Sequence, residues 1–316
     1  MSRTASRSRA EEVSAARAGD RRALARLISA FEDRSPDSRE ISALLPRGHA
    51  QIVGVTGPPG VGKSTTTSAL IGQWRRHGYT VGVVAVDPSS PFTGGALLGD
   101  RIRMAEHGTD TGVYVRSMAS RGHLGGLAEA TPAVVRVLDG CGFDIVLVET
   151  VGVGQSEVEV VQYADTVVIL MAPGMGDGIQ AAKAGILEIG DVFVVNKADR
   201  EGARDTQRDL RAMLAGQYGV AAPWRPPVLP VVATAGTGIE GLAQAIADHH
   251  ATARRTGRLA ERRLERARAE VMTIATELWR SRLDSGGASA TSLAQEVLRG
   301  QRDPYAAADA LLAELG

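Results

Sequence analysis

With 316 residues, 44% hydrophobic and 23% charged, the chain has the balance of a soluble globular protein with enough apolar side chains for a sizeable core. Lys plus Arg and Asp plus Glu each total 36, so no net basic field points to nucleic acid or an anionic membrane, and no apolar run reaches the ~20 residues of a membrane span. The single cysteine, Cys141, excludes an internal disulfide framework, fits a reducing compartment and reads as a small core residue.

The first residues, MSRTASRSRA, are rich in Arg and Ser but lack the apolar run of a secretory signal. A frayed tail suits them better than a transit peptide, and a cytoplasmic location is the default expectation. Residues 11–31, EEVSAARAGDRRALARLISAF, space their apolar positions as a helix does and break at Gly19, which predicts a helical N-terminal extension over 1–45. After the linker stretches SPDSRE and LPRGH comes a regular alternation. Strands are predicted at 52–55, 81–86, 113–116, 145–148, 166–171, 192–195 and 228–232, with helical segments between most of them. Near-continuous apolar strands of this kind suit a parallel sheet covered on both faces. A doubly wound, mainly parallel α/β domain is therefore expected over 46–253.

Beyond His250 the pattern changes to RRTGRLAERRLERARAEVMTIATELWRSRL. Leu259, Leu264, Val271, Ile274 and Leu278 form a partial stripe, and the Glu residues interleaved with Arg favour a solvated or subunit-packing helix over an RNA-binding one. The adjacent His249 and His250 read as solvent-facing residues at a helix end rather than metal ligands. Two shorter helical patterns close the chain, one starting after Asp303 and Pro304, so that 254–316 form a helical C-terminal extension.

The chemistry starts at GPPGVGKSTTT, residues 57–67, between an apolar run and a helical pattern. Gly57, Gly62, Lys63 and Ser64 satisfy GxxxxGK[ST], so Gly57, Pro58, Pro59, Gly60, Val61, Gly62, Lys63, Ser64 and Thr65 are expected to cradle phosphates. Glycines let backbone N–H groups turn inward, and the following helix N-terminus adds its positive end. Lys63 is placed to reach the terminal phosphates and the Ser64 hydroxyl to bind Mg²⁺. NKAD, residues 196–199, identifies the base. A carboxylate at Asp199 accepts both the N1 and N2 protons of guanine, whereas adenine leaves it unpaired, so GTP and GDP are expected and ATP is not. Later, in ATAGTG, Thr234 and Ala235 are candidates to pack their backbone near the base; a plain turn is the alternative.

Acidic residues close two further predicted strands: Asp87 after VGVVAV and Glu149 after FDIVLV. Carboxylates at the carboxyl ends of parallel strands face the ligand crevice, where Mg²⁺ and its waters belong. Gly152 would let the backbone approach the γ-phosphate. Asp100 is a candidate metal or water-orienting carboxylate, with a helix N-cap as its competitor, and Gln155 and Glu157 are weaker candidates for orienting water.

Taken together, GPPGVGKST, DPSSPFTGGALLGDRIRM, RGHLGGLAEAT, ETVGVGQSEVEV, GDGIQAAKAGILEI and NKAD resemble the MeaB/ArgK family of P-loop GTPases, whose human member is the methylmalonic aciduria type A protein. The resemblance runs from about residue 42 to 241 and reaches the flanking helices in layout only. It implies a G-protein chaperone that gates cofactor delivery to, and protects or reactivates, an adenosylcobalamin-dependent acyl-CoA mutase, usually methylmalonyl-CoA mutase. It also implies a homodimer. By motif, Lys63 and Ser64 correspond to the family's phosphate and Mg²⁺ ligands, and Asn196, Lys197 and Asp199 to its guanine reader. Asp87, Asp100 and Glu149 correspond to the acidic residues that organise Mg²⁺ and the attacking water, which makes Lys63, Asp100 and Glu149 the expected catalytic set. Residues 174–183, GMGDGIQAAK, match a loop that communicates with the mutase, with Asp177 and Lys183 as its polar contacts. Gly178 stands where the family form GDELQ has an acidic residue. ETVG replaces the DxxG of Ras-like proteins and no glutamine directly follows Gly152, so slow intrinsic hydrolysis, accelerated by a partner, is expected.

Three other readings compete. A GTP-dependent metallochaperone needs a His/Cys cluster, and one cysteine with scattered histidines argues against it. A kinase of a transport protein needs an acceptor and a base near the γ-phosphate, for which His123 is the conspicuous candidate. A pure binding module would release no phosphate. No ligand loop for cobalamin itself occurs here.

Overall fold

The computed structural model describes residues 8–87, 107–119, 130–150, 163–174, 186–216, 222–285 and 287–315. Three helices open the chain: α1 (Arg9–Arg17), α2 (Arg21–Glu32) and α3 (Ser38–Leu44). Ser8 starts α1 as a capping box, its hydroxyl accepting from Glu11 N and its N–H donating to the Glu11 carboxylate. The expected break falls at Gly19, where φ is +93°, and Asp20 then caps α2. Buried Glu12 is neutralised by Arg9 and Arg26, so the first two helices share one internal charge site.

The α/β domain follows in the order β1 (Gln51–Thr56), α4 (Lys63–Arg76), β2 (Val81–Asp87), β3 (Val113–Ala119), α5 (Thr131–Gly140), β4 (Ile145–Glu149), β5 (Thr166–Met171), β6 (Val192–Asn196), α6 (Ala203–Ala215), β7 (Val228–Val231) and α7 (Ile239–Arg255). The strands form one seven-stranded sheet in the order β3-β2-β4-β1-β5-β6-β7, and every pairing is parallel. All seven predicted strands are present, and the doubly wound expectation holds, with the sheet wholly rather than mainly parallel.

Alternation along each strand divides the core. Val53, Val55, Ile145, Leu147, Val168, Leu170, Val192 and Val194 face α4 and α7, while Ile52, Val146, Val148, Val167, Ile169, Phe193 and Val195 face α2, α5 and α6. Burying both faces removes water from nearly every strand residue, worth about 1.5–3 kcal/mol for each large aliphatic side chain. Cys141 belongs to this core, and burial pushes its thiol up to about 11, as its reading as a core residue requires. The edge strand β3 is guarded by the N-terminal helices. Arg21 donates to Val113 O at 2.8 Å, and Arg116 donates to Ser29 Oγ at 3.0 Å and pairs with Glu32.

At the amino ends of β5 and β6 lies a buried polar cluster centred on Asp191. Its carboxylate accepts two bonds from Arg262, at 2.7 and 2.8 Å, one from Val167 N at 2.8 Å, and pairs with His249 Nε2 at 3.1 Å. His249 Nδ1 lies 2.9 Å from Thr166 Oγ1, and Trp224 sets its ring edge against the imidazole. The solvent-facing expectation for His249 is thus overturned: one face of α7 turns inward, and His249 is only 5% exposed.

Contact within the chain divides it into two compact units, residues 1–262 and 263–316. The long helix α8 (Arg258–Ser285) crosses that boundary, with Leu259 buried in the first unit and Leu264, Val271, Ile274 and Leu278 exposed. The second unit also contains α9 (Gly287–Leu298) and α10 (Pro304–Leu315), the latter capped by the Asp303 carboxylate. Among the described residues, no helix is long and apolar enough to cross a membrane.

Candidate functional site

Parallel pairing carries the ends of β1, β2, β4, β6 and β7 to one edge of the sheet, and with them the phosphate loop, Asp87, Glu149, Asn196 and Ala233. The central position of β1, between β4 and β5, places the loop it feeds where the connections diverge to the two sides. The backbone of Asp87 is the last residue of β2; its side chain, together with Asp100, Gly152, Gln155, Glu157, His123 and residues 175–183, lies outside the described residues.

The phosphate loop is held from several directions. Gly57 has φ +145°, and a Cβ there would stand 2.2 Å from the carbonyl oxygen of Leu170 on β5. Gly62 precedes α4 with φ +95°, and a Cβ would meet Asn196 Nδ2 at 2.4 Å. Neither position admits a side chain without moving its neighbour. Gly62→Ala should therefore weaken guanine-nucleotide binding at least tenfold while leaving thermal stability within a few degrees of the parent, as titration with a fluorescent GDP and a melting curve will show; unchanged affinity would mean that the loop tolerates the shift.

Lys63 opens α4 and is buried, its ammonium donating to Gly57 O at 2.7 Å and Pro58 O at 3.2 Å. A cation is thus folded over the loop whose N–H groups and helix end already favour anions. Beside it the Ser64 hydroxyl donates to Glu149 Oε1 at 2.7 Å, and Glu149 is 2% exposed. A hydroxyl and a carboxylate in contact, both hard oxygen donors at the crevice edge, form a donor set suited to Mg²⁺. Behind this pair Thr150 Oγ1 donates to Thr56 Oγ1 at 2.9 Å, a buried link between the segments leaving β4 and β1. Sequence reasoning missed that link, although both threonines directly adjoin motif residues.

Asn196 ends β6, and its amide bridges two loops: Nδ2 donates to Val61 O at 2.8 Å and Oδ1 accepts from Ala233 N at 3.2 Å. Lys197 sits at φ +57° and sends Nζ to Gly60 O at 2.7 Å. The first two residues of NKAD therefore brace the phosphate loop itself. Asp199 is left facing a pocket of about 130 Å³ lined by Gly62, Thr65, Asn196, Lys197, Asp199, Arg200, Val232, Ala233 and Thr234. Ala235 belongs to the same short turn, Ala233–Ala235, but does not line the pocket. Thr65 lines this pocket, and Arg200, which no motif marked, lines it as well.

The family described as Methylmalonyl Co-A mutase-associated GTPase MeaB matches residues 24–287. The chain belongs to the MeaB family. A Pyrococcus horikoshii protein provisionally named a GTPase is 48% identical over 301 residues, covering 94% of this chain and 95% of that protein. The mouse mitochondrial protein named methylmalonic aciduria type A homolog is 40% identical over 190 residues, 59% of this chain and 46% of its own length. Among solved structures, the crystal structure of a LAO/AO transport system kinase superposes with a TM-score of 0.69 at 25% identity, covering 100% of this chain and 99% of that one. Both the fold and the family resemblance read from the motifs thus hold, and the chain is a member of a GTPase family.

Proposed function

We propose that this MeaB-family chain binds GTP with Mg²⁺, hydrolyses it to GDP and phosphate, and uses that cycle as a chaperone that gates cofactor delivery to, and protects or reactivates, an adenosylcobalamin-dependent acyl-CoA mutase, with methylmalonyl-CoA mutase as its client. The observation that carries the nucleotide part is the bracing of Gly60 and Val61 by Lys197 and Asn196, which joins the phosphate loop and the pocket of Asp199 into one site. The family's own description supports the mutase part.

In this reading Asp199 accepts the N1 and N2 protons of guanine while Thr234, which lines the pocket, closes the base side. Lys63 turns its ammonium from loop carbonyls to the terminal phosphates, and the N-terminus of α4 stabilises the charge that grows as the phosphoryl group leaves. Ser64 and Glu149 would hold Mg²⁺, with Asp87 and Asp100 as the sequence-based additions; the ion supplies charge neutralisation at the phosphate oxygens. Glu149 and Asp100 are the residues proposed to orient the attacking water. Loops that the γ-phosphate orders in the GTP state relax after hydrolysis, which changes affinity for the mutase. Hydrolysis is slow in the isolated chain and faster with the mutase, because no glutamine directly follows Gly152 to place the water.

The helical segments 1–45 and 254–316 are proposed as extensions around a nucleotide domain over 46–253, the latter providing a homodimer or partner surface, and the chain is proposed to act in the cytoplasm. Phosphate release from GTP and from ATP, measured with and without methylmalonyl-CoA mutase, tests this. GTP-selective release that rises with the mutase is expected. Equal rates with the mutase absent and present, together with no complex, would remove the client assignment and leave the nucleotide assignment standing. Transfer of label from γ-labelled GTP to a protein, instead of release as free phosphate, would replace hydrolysis with the kinase activity that the superposed structure's name carries.

A further inference from the structure

Among the described residues, the base pocket contains one charged side chain that neither the motifs nor the proposed hydrolysis uses. After Lys197, held at φ +57°, the chain turns back so that Arg200 N donates to Lys197 O at 3.0 Å. This turn places Asp199 and Arg200, consecutive and oppositely charged, on the wall of the same pocket. Both are exposed, and among the described residues neither makes a side-chain hydrogen bond or ion pair, with each other or with any neighbour.

Among the described residues, the rest of the lining offers a purine no free planar group. Among the described lining residues none is aromatic. The Asn196 amide is committed at both ends, to Val61 O and Ala233 N, and the Lys197 ammonium is held by Gly60 O, which leaves only its aliphatic stem on the pocket wall. The Asp199 carboxylate has to meet the base edge in its plane to take the N1 and N2 protons, so it cannot also cover a ring face. Among the described residues, that leaves Arg200 as the lining residue with a planar, delocalised group and no competing partner. A guanidinium lies flat on a purine favourably, and its weak hydration makes the exchange of water for base inexpensive compared with an ammonium.

We propose that Arg200 lays its guanidinium on the guanine base and is a determinant of how tightly this chain holds its nucleotide, an inference that rests on the guanine-nucleotide reading of the pocket. The contact acts on the base, so it contributes equally to GDP and GTP. It depends on the planar group rather than on charge alone, so lysine does not replace it.

Affinities of the full chain for GDP and GTP, measured by calorimetry for the parent, Arg200→Ala, Arg200→Lys and Asp199→Ala, test this. Both Arg200 variants should weaken GDP and GTP by the same factor, about 3- to 10-fold, the range expected for an exposed stacking or cation–π contact. Parent-like affinity in Arg200→Ala overturns the proposal, as does full rescue by lysine, or a loss clearly larger for GTP than for GDP, which would mark a charge acting on phosphates. Asp199→Ala separates the two levels. If it abolishes guanine selectivity while Arg200→Ala changes nothing, only the Arg200 inference falls; if Asp199→Ala leaves guanine-nucleotide binding intact, the reading of the pocket falls with it.

Discussion

Lys63→Ala will lower GTP turnover on the order of 10²–10³-fold, the cost of removing one preorganised group that stabilises transition-state charge. The size follows from where the ammonium sits. Lys63 is the first residue of α4 and is buried, and its hydrogen bonds to Gly57 O and Pro58 O keep it above the phosphate loop before any ligand arrives. No solvent reorganisation is then needed to bring the charge to the phosphates. The variant loses two bonds within the loop as well, so nucleotide affinity should fall along with turnover. Steady-state phosphate release at saturating GTP, with circular dichroism to verify the fold, checks the effect; turnover within twofold of the parent would remove Lys63 from the catalytic set.

Asp191→Ala will destabilise the first unit by about 2–3 kcal/mol, because it leaves buried His249, Val167 N and the partly exposed Arg262 guanidinium without their shared carboxylate. Arg262 keeps its bond to Asp165 O and some contact with water, which holds the cost below that of a fully buried pair. Burial alone would raise the Asp191 pKa, but the hydrogen bonds and charges of His249 and Arg262 outweigh it and hold the carboxyl below its ordinary value. A carboxylate depressed in the folded state contributes stability that is fully present above the unfolded value, about 3.9, and is lost as pH falls through the folded value. Denaturant unfolding should therefore show the variant's deficit at neutral pH, with the gap between parent and variant narrowing below about pH 4. A variant within 1 kcal/mol of the parent at pH 7 would mean that the cluster is a bystander.

Much of the architecture was readable in advance because a fully covered parallel sheet imposes a simple demand. Strands buried on both faces must be short continuous apolar runs, and the run at 166–171 became β5 with unchanged bounds, while β3 ran three residues beyond its predicted end. The helix break at Gly19 was equally local, a positive φ that glycine adopts without strain. His249 was misjudged for the opposite reason. Two histidines near the end of a helical pattern look alike in one dimension, and only the docking of α7 on β5, with Thr166 and Asp191 beneath it, decides which of them is buried.

The candidate site divides along the same line. The phosphate loop, the NKAD segment and the acidic strand ends were legible because each is a contiguous signature next to a strand, and parallel topology obliges all strand ends to meet at one edge. Their connections were not. The motifs carry no sign that Asn196 and Lys197 would spend their side chains on Val61 and Gly60, that Ser64 would reach Glu149 at 2.7 Å, or that Arg200 would stand beside Asp199 in the base pocket. The sequence by itself determined which elements form and which chemical groups are available, since backbone preference, apolar periodicity and local motifs act over a few residues. Tertiary structure alone decided which of those groups touch, because hydrogen bonds between residues far apart in the chain depend on strand order, register and the docking of helices, none of which a local pattern encodes.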